Sequence, residues 1–252
     1  MPGRLKTATH ADDNDMERDI VYIVGEKGDG FELRYSLRSL QNLPHRQVFI
    51  VGHKPEWVRN VIHVPTEQPR SKYSNARDNI RAAARDPRVS EDFVLMNDDF
   101  FILAPVADVP VWHHGDLKDF VRGYKNRGPY YQRLKGTVEI IAGLNRRNPM
   151  IPNGPFYARR NYELHVPAVF NKARILELAE RFEHAGKRAF RSLYGNYYRI
   201  GGEYHEDVKF VRHLTERSVP ADFMSTSNEF AETAEFRDFI RARFPDPSPY
   251  EA

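Results

Sequence analysis

Phe93-Val94-Leu95-Met96-Asn97-Asp98-Asp99-Phe100-Phe101 is the stretch on which the reading of this chain turns. Four apolar residues run into Asn-Asp-Asp, and two phenylalanines follow at once. An unbroken apolar run of this length between polar flanks reads as a strand buried on both faces. Burying a carboxylate is expensive unless it is paired or bound to a cation. The acids at the end of such a strand are therefore candidate ligands for a divalent ion, Asp99 first, with Asn97 beside it. Hard oxygen donors of this kind suit Mg²⁺ or Mn²⁺. The competing reading is a turn in which Asp98 serves as a cap.

The residues before this stretch place it in a fold. Asp19 to Val24 reads as a buried first strand and Gly25 to Gly30 as a charged, glycine-containing loop. Phe31 to Leu43 carries Leu33, Leu37 and Leu40 at helical spacing, and Pro44 stops it. Gln47 to Val51 and Val61 to Val64 read as strands. Ser74 reads as an N-cap for a helix from Asn75 to Ala84. Strands alternating with helices imply a parallel sheet with crossover helices, an α/β fold. Ligands of such sheets collect at the carboxyl ends of the strands, where Gly25, His53 and Asn97 to Asp99 fall.

The second half is less regular. Val111 to Pro155, rich in Gly, Pro and aromatics, reads as loop-heavy with short strands. Asn171 reads as the cap of a helix from Lys172 to about Ala185, with Gly186 at its end. Glu206 to Arg217 and Glu229 to Phe244 read as helices. Residues 1–18 read as a loose arm and Pro245 to Ala252 as a tail. Without repeats or a clear linker, 19–244 is expected to be one domain, with a first half over 19–110 and a second over 111–244.

Composition narrows the chemistry. The 252 residues contain no cysteine, which excludes disulfides, thiolate zinc sites and a thiol nucleophile. No apolar run approaches a membrane span and the N-terminus lacks the apolar core of a signal peptide, so a cytoplasmic protein is expected. The formal charge is +3, and arginines outnumber lysines 28 to 10. Arginine is the better fork for phosphate oxygens, although a biased genome produces the same excess. Ten basic residues and two acids lie between Lys118 and Arg160, among them Arg133, Arg146 and Arg147, interleaved with Tyr130 and Tyr131. That mixture suits a polyanionic partner such as a nucleic acid, or an ordinary solvated face.

Several blocks in series carry a resemblance. Glu32 to Leu40 is followed by Val48-Phe49-Ile50-Val51-Gly52, then Pro55-Glu56-Trp57-Val58, Asn75, and Phe93 to Phe101. His165-Val166-Pro167 and the Arg-aromatic-Arg run from Arg188 to Arg191 complete the series. In this order they resemble the Stealth-type sugar-phosphate transferases, which make capsular polysaccharides and include the lysosomal GlcNAc-phosphotransferase. The resemblance covers about Asp19 to Phe210 with gaps. It departs at the first strand end, where Ile23-Val24-Gly25-Glu26 stands in place of Trp-Val-Asp-Gly. The compact chain is also similar to phage-encoded glycosyltransferases with a GT-A-like fold.

The resemblance implies a GT-A-like (Rossmann-like), mostly parallel sheet flanked by helices, with a loop-rich, helical second half. It implies a nucleotide-sugar donor, with a UDP-sugar such as UDP-glucose the leading candidate, and Mn²⁺ or Mg²⁺ at Asp99, Asn97 and His165. Lys72, Asn75, Arg77, Asp78, Asp98, Arg188 and Arg191 are the expected donor contacts. Asp207 and Glu206, at the expected start of a helix, are the candidate bases for the acceptor hydroxyl. Tyr130, Tyr131, Arg133, Arg146 and Arg147 are expected at the acceptor. The leading expectation for that acceptor is a hydroxymethylated pyrimidine of phage DNA, such as 5-hydroxymethylcytosine. The alternatives are sugar-phosphate transfer to a glycan and a non-catalytic nucleic-acid-binding module.

Overall fold

The computed structural model describes residues 18–26, 29–146, 158–184, 187–216 and 218–252. The expected arm therefore lies outside the described residues, except for Arg18. Strands β1 (Asp19–Val24), β2 (Val48–Gly52), β3 (Ile62–Val64) and β4 (Asp92–Met96) pair in parallel, with α1 (Phe31–Ser39) and α2 (Lys72–Arg85) crossing between them. A fifth strand, β7 (Ala168–Asn171), runs antiparallel beside β4, giving the order β3-β2-β1-β4-β7. The expected mixed α/β architecture, a mostly parallel sheet flanked by helices, is the one observed.

Burial on both faces explains the unbroken apolar strands. Ile20, Tyr22 and Val24 of β1 pack with Leu33, Leu37 and Leu40 on one side. Val21 faces the other side with Ile80 and Ala83 of α2, Ile175 and Leu178 of α5 (Lys172–Arg181) and Leu193 of α6 (Phe190–Tyr197). At the amino edge Asp19 is wholly buried. Its carboxylate accepts two hydrogen bonds from Arg46 (2.9 and 2.8 Å) and one from the Ser90 N–H (2.7 Å). One paired acid thus ties β1 to the approaches of β2 and β4.

Several expected elements differ from those observed. The helix expected from Asn75 begins three residues earlier, with Ser71 at its N-cap position. The helix expected to reach Leu43 ends at Ser39 and continues as a 3₁₀ turn, Leu40–Asn42. The expected loop-heavy region holds two helices, α3 (Leu117–Gly123) and α4 (Pro129–Arg146). Leu134, Thr137 and Ile141 of α4 are buried at helical spacing. Gly136, which argues against a helix by composition, lies where the Lys187 carbonyl leaves no room for a Cβ. The Asn171 cap is as expected, its side chain accepting from the Arg174 N–H at 3.1 Å, but α5 ends at Arg181.

The expected helix over 206–217 is absent. The chain there is extended through β9 (Lys209–Phe210), followed by a 3₁₀ turn, Leu214–Glu216. Val208 and Phe210 are buried while Val211 is 49 % exposed, a period of two where the sequence suggested one of three. β9 pairs with β10 (Phe223–Thr226), which pairs antiparallel with β5 (Phe100–Ile102) directly after the acidic turn. The expected last helix is two, α7 (Asn228–Ala231) and α8 (Ala234–Arg243), capped by Ser227 and Thr233. The expected tail is fastened: Ala252 donates to the Trp57 carbonyl at 2.9 Å, and the Arg59 N–H donates to that of Tyr250 at 2.9 Å. No described helix is long and apolar enough to cross a membrane.

Candidate active site

The parallel strands end on one edge, and two regions of it differ. Above β1 and β2 the edge is closed. Gln68 donates to the Val24 carbonyl (2.9 Å), Asn79 to that of Val51 (3.3 Å), and Thr66 to the Asn79 side chain (2.6 Å). Gly52, at φ 104°, has no space for a Cβ among these groups. Asn75, expected to contact the donor, clasps this loop instead, donating to the carbonyls of Gln68 (2.9 Å) and Arg70 (2.8 Å) and accepting from the Arg70 N–H (3.1 Å). Asp78 pairs with Arg70, and the Lys72 ammonium lies 5.2 Å from the Tyr73 ring centre. None of the three lines the open cavity beside them.

Beyond β1 and β4 the edge opens into a cavity of about 230 Å³ between α2, α4 and the start of α6. Arg77, Arg133, Arg188 and Arg191 line it with Asn97, Tyr130, Glu163 and His165. Residues expected at the donor and residues expected at the acceptor thus share one pocket. Burial lowers the pKa of Arg188 to about 10, and repulsion from Arg77, Arg81 and Arg133 adds to it. Arg133 is lowered by burial and by Arg77, and Arg77 by burial, Arg70 and Arg81. Nε of Arg77, Nε of Arg133 and one terminal nitrogen of Arg191 are buried without a hydrogen-bond partner. Charged donors left in this state are costly, and an oxyanion would satisfy them. The other terminal nitrogen of Arg191 donates to the carbonyls of Leu164 (3.1 Å) and Val166 (2.6 Å), fixing the backbone on either side of His165.

His165 is held by Asp207. The Asp207 carboxylate accepts from the His165 backbone N–H at 3.0 Å and meets its Nδ1 at 2.7 Å. Burial opposes charge on Asp207, but these bonds and the nearby Lys209 outweigh it and lower its pKa. An ionised carboxylate accepts only, so Nδ1 carries a proton toward Asp207 and Nε2 is the ring nitrogen not engaged by that carboxylate. Asp207 is therefore ionised by its histidine partner and not, as expected, by a helix N-terminus. Glu206, the second expected base, is 68 % exposed and bonds the Tyr204 hydroxyl.

The acidic strand end is a tight turn, with the Phe100 N–H donating to the Asn97 carbonyl at 3.3 Å. α1 fixes its far side: Ser36 donates to the Phe100 carbonyl (2.5 Å), and the Ser39 hydroxyl accepts from the Ile102 N–H (3.1 Å). Asp99 is 16 % exposed, accepts from the Ser225 hydroxyl at 3.2 Å and lies 3.7 Å from the Lys209 ammonium. Among the described residues no three Asp, Glu, His or Cys side chains gather as a metal cage. The donor set, Asn97 with two adjacent carboxylates, is of the hard-oxygen type that suits Mg²⁺ or Mn²⁺ and leaves most of the coordination to water or substrate phosphates.

The remaining expected residues lie elsewhere. Tyr131 packs under Arg127 (4.4 Å) and Arg146 ends α4, both outside the pocket, while Arg147 is outside the described residues. Sequence reasoning missed Tyr73, Glu163 and Lys209. Glu163 and His165 flank Leu164 at the alternate spacing of extended chain, the one signal that could have found Glu163.

No family model and no curated protein matches the chain. Solved structures that resemble it include the galactosyltransferase LgtC in complex with donor and acceptor sugar analogs, at 10 % identity. That alignment covers 92 % of this chain and 98 % of LgtC, with a TM-score of 0.45. An active-site mutant of LgtC matches at 10 % identity over the same shares, with a TM-score of 0.48. The apo form of the glycosyltransferase GlyE from Streptococcus pneumoniae TIGR4 matches at 11 % identity over 90 % of this chain and 60 % of GlyE, with a TM-score of 0.40.

Proposed function

We propose that this chain is a nucleotide-sugar-dependent glycosyltransferase whose donor phosphates occupy the arginine pocket and whose acceptor hydroxyl gives its proton to His165. One observation carries the reading: four guanidinium groups, three with unpartnered buried nitrogens, converge with a carboxylate-oriented imidazole at the carboxyl edge of a parallel sheet. Fixed cations offset charge as it develops on a departing diphosphate, without the cost of reorganising solvent. Nε2 of His165 accepts the acceptor's proton, and Asp207 stabilises the imidazolium that results. Asp207 is then a positioning residue and His165 the base, the reverse of the order expected from sequence.

Asn97, Asp98 and Asp99 would hold a Mn²⁺ or Mg²⁺ ion together with the donor phosphates. Such an ion supplies Lewis-acid stabilisation of the leaving group. The basic stretch from Lys118 to Arg160 gives little support to a DNA acceptor. Arg133 belongs to the pocket, Arg122 pairs with Asp119 (3.1 Å), Lys135 with Glu139 (3.7 Å) and Arg159 with Asp116 (3.5 Å).

A second reading, transfer of a sugar phosphate to a glycan, takes the same donor and differs in the bond broken, with the acceptor hydroxyl attacking phosphorus. The test is incubation with a panel of nucleotide-sugars, Mn²⁺, and either hydroxymethylated DNA or oligosaccharides, with products identified by mass spectrometry. A nucleoside diphosphate is the product expected of the first reading and a monophosphate that of the second. Release of neither, or full activity in His165→Gln, overturns the proposal.

A further inference from the structure

We infer that the two-stranded ribbon formed by β6 (Trp112–His113) and β8 (Glu203–Tyr204) carries a carbohydrate-binding platform, the Tyr204 ring with His114 and Glu206, that seats the acceptor glycan. Its role as an acceptor subsite rests on the transferase reading; its ability to bind sugar does not. Among the described residues Val111, Tyr204 and Val211 are the exposed large hydrophobic residues, and Tyr204 is the most exposed, at 58 %. Its exposure alone is ordinary for a single surface residue; the rigid support beneath it and the polar rim around it distinguish it.

The ribbon is anchored from beneath. The Trp112 ring lies flat on that of His205 (3.8 Å between centres, 4° between planes) and edge-on to buried Phe223 (5.5 Å). Gly202, at φ 95°, lies against Val111 so closely that a Cβ there would meet the Val111 carbonyl. Tyr204 therefore stands on a fixed support. Its ring is near-parallel to that of His114 (5.7 Å, 26°), which meets Phe120 edge-on (5.7 Å). Phe120 continues to Tyr124 (5.5 Å), and Tyr124 to Tyr130 of the arginine pocket (5.7 Å). A line of rings thus runs from the platform to the site.

The rim identifies the ligand. The Glu206 carboxylate bonds the Tyr204 hydroxyl and lies 3.7 Å from Nδ1 of His114. A pyranose presents an apolar C–H face that seats on the negative face of an aromatic ring, and hydroxyls at its edge that bond carboxylate and imidazole. Single-stranded nucleic acid also stacks on aromatics, but it brings phosphates. Exposed Glu203 and Glu206 on either side of Tyr204 would repel them. Asp207 follows Tyr204 by three residues, so their Cα atoms lie at most about 11 Å apart. A short oligosaccharide is long enough to span such a distance.

The test measures binding of maltotriose, mannotriose, chitotriose and the oligonucleotide dT10 to the full chain by calorimetry and saturation-transfer NMR. Acceptor-independent hydrolysis of UDP-glucose and other nucleotide-sugars is measured in parallel. At least one trisaccharide is expected to bind, about ten-fold more weakly to Tyr204→Ala, with affinity restored in Tyr204→Trp and donor hydrolysis unchanged in both. The inference is overturned if no trisaccharide binds, if Tyr204→Ala leaves its binding intact, or if dT10 is the ligand whose binding Tyr204→Ala removes. Sugar binding through Tyr204 without turnover of any nucleotide-sugar would uphold the platform and refute the transferase reading.

Discussion

Replacing Glu251 with glutamine tests whether the end of the chain supports the site. The Glu251 side chain is 3 % exposed. It accepts from Arg38 Nε (2.7 Å) and Nη2 (2.9 Å), Arg34 Nη1 (2.6 Å) and the Ser248 N–H (2.9 Å). Burial pushes its pKa up, but the bonds from Arg38, the Ser248 N–H and Arg34 outweigh burial and bring it down to about 2. Against an ordinary glutamate near ~4.3 this is worth about 3 kcal/mol. Arg34 is partly open to solvent, which screens its share, so we take about 2 kcal/mol. Because the folded pKa is the lower one, the stabilisation is complete above the unfolded pKa and is lost as pH falls towards about 2. Glu251→Gln should therefore lower Tm by roughly 4–8 °C at pH 7, and the gap to wild type should narrow by pH 3.5. Thermal melts across that pH range are the assay. Equal Tm values at pH 7, or a gap that stays constant down to pH 3.5, would refute the reasoning. Arg34 and Arg38 belong to α1, whose Ser36 and Ser39 fix the strand after Asp99, so turnover should fall along with stability.

Other perturbations probe the pocket directly. Arg188 lines the pocket beside Arg77 and Arg133, so Arg188→Met should abolish the Tm increase that pyrophosphate gives wild type. A variant that still responds to pyrophosphate would remove the anion site. Asp207→Asn should lower kcat by about 10²–10⁴ with little change in donor affinity, because it releases the His165 tautomer and leaves the arginines in place; an unchanged kcat would show that His165 is not the base. Asp99→Asn keeps the Ser225 hydrogen bond and loses the attraction to Lys209. It should fold as wild type yet turn over far more slowly, a comparison made by matched circular dichroism and product-release assays; full activity would remove Asp99 from the site.

What could be read from the sequence depended on how local the signal was. The parallel strands announce themselves because burial on both faces demands unbroken apolar runs such as Val94 to Met96. The acids after Met96 fall at a ligand-binding edge once the sheet is parallel. Two kinds of residue misled. Gly136 sits inside a helix because another segment's carbonyl needs the space, a fact with no local trace. Val208, Val211 and Leu214 have helical spacing, yet the pairing of β9 with β10 decides that segment, and its partner lies more than a dozen residues away. Long-range pairing of this kind overrides local periodicity.

The same distinction applies to the pocket residues. Arg77, Arg133, Arg188 and Arg191 come from three helical regions, and nothing in their spacing says that they meet. That they do meet is itself the functional argument. A folded chain places like charges in one pocket only at a cost in stability: burial and then neighbouring arginines push down the pKa of Arg77, Arg133 and Arg188. Stability alone would have replaced at least one of them with an apolar or acidic side chain. Glu163 accepts the Ser192 N–H at 2.7 Å and, with Asp99 and Asp207, acts on Arg191, while Glu183 acts on Arg188. In the reading proposed above, a donor carrying more than one anionic oxygen occupies this pocket, with His165 on its lining.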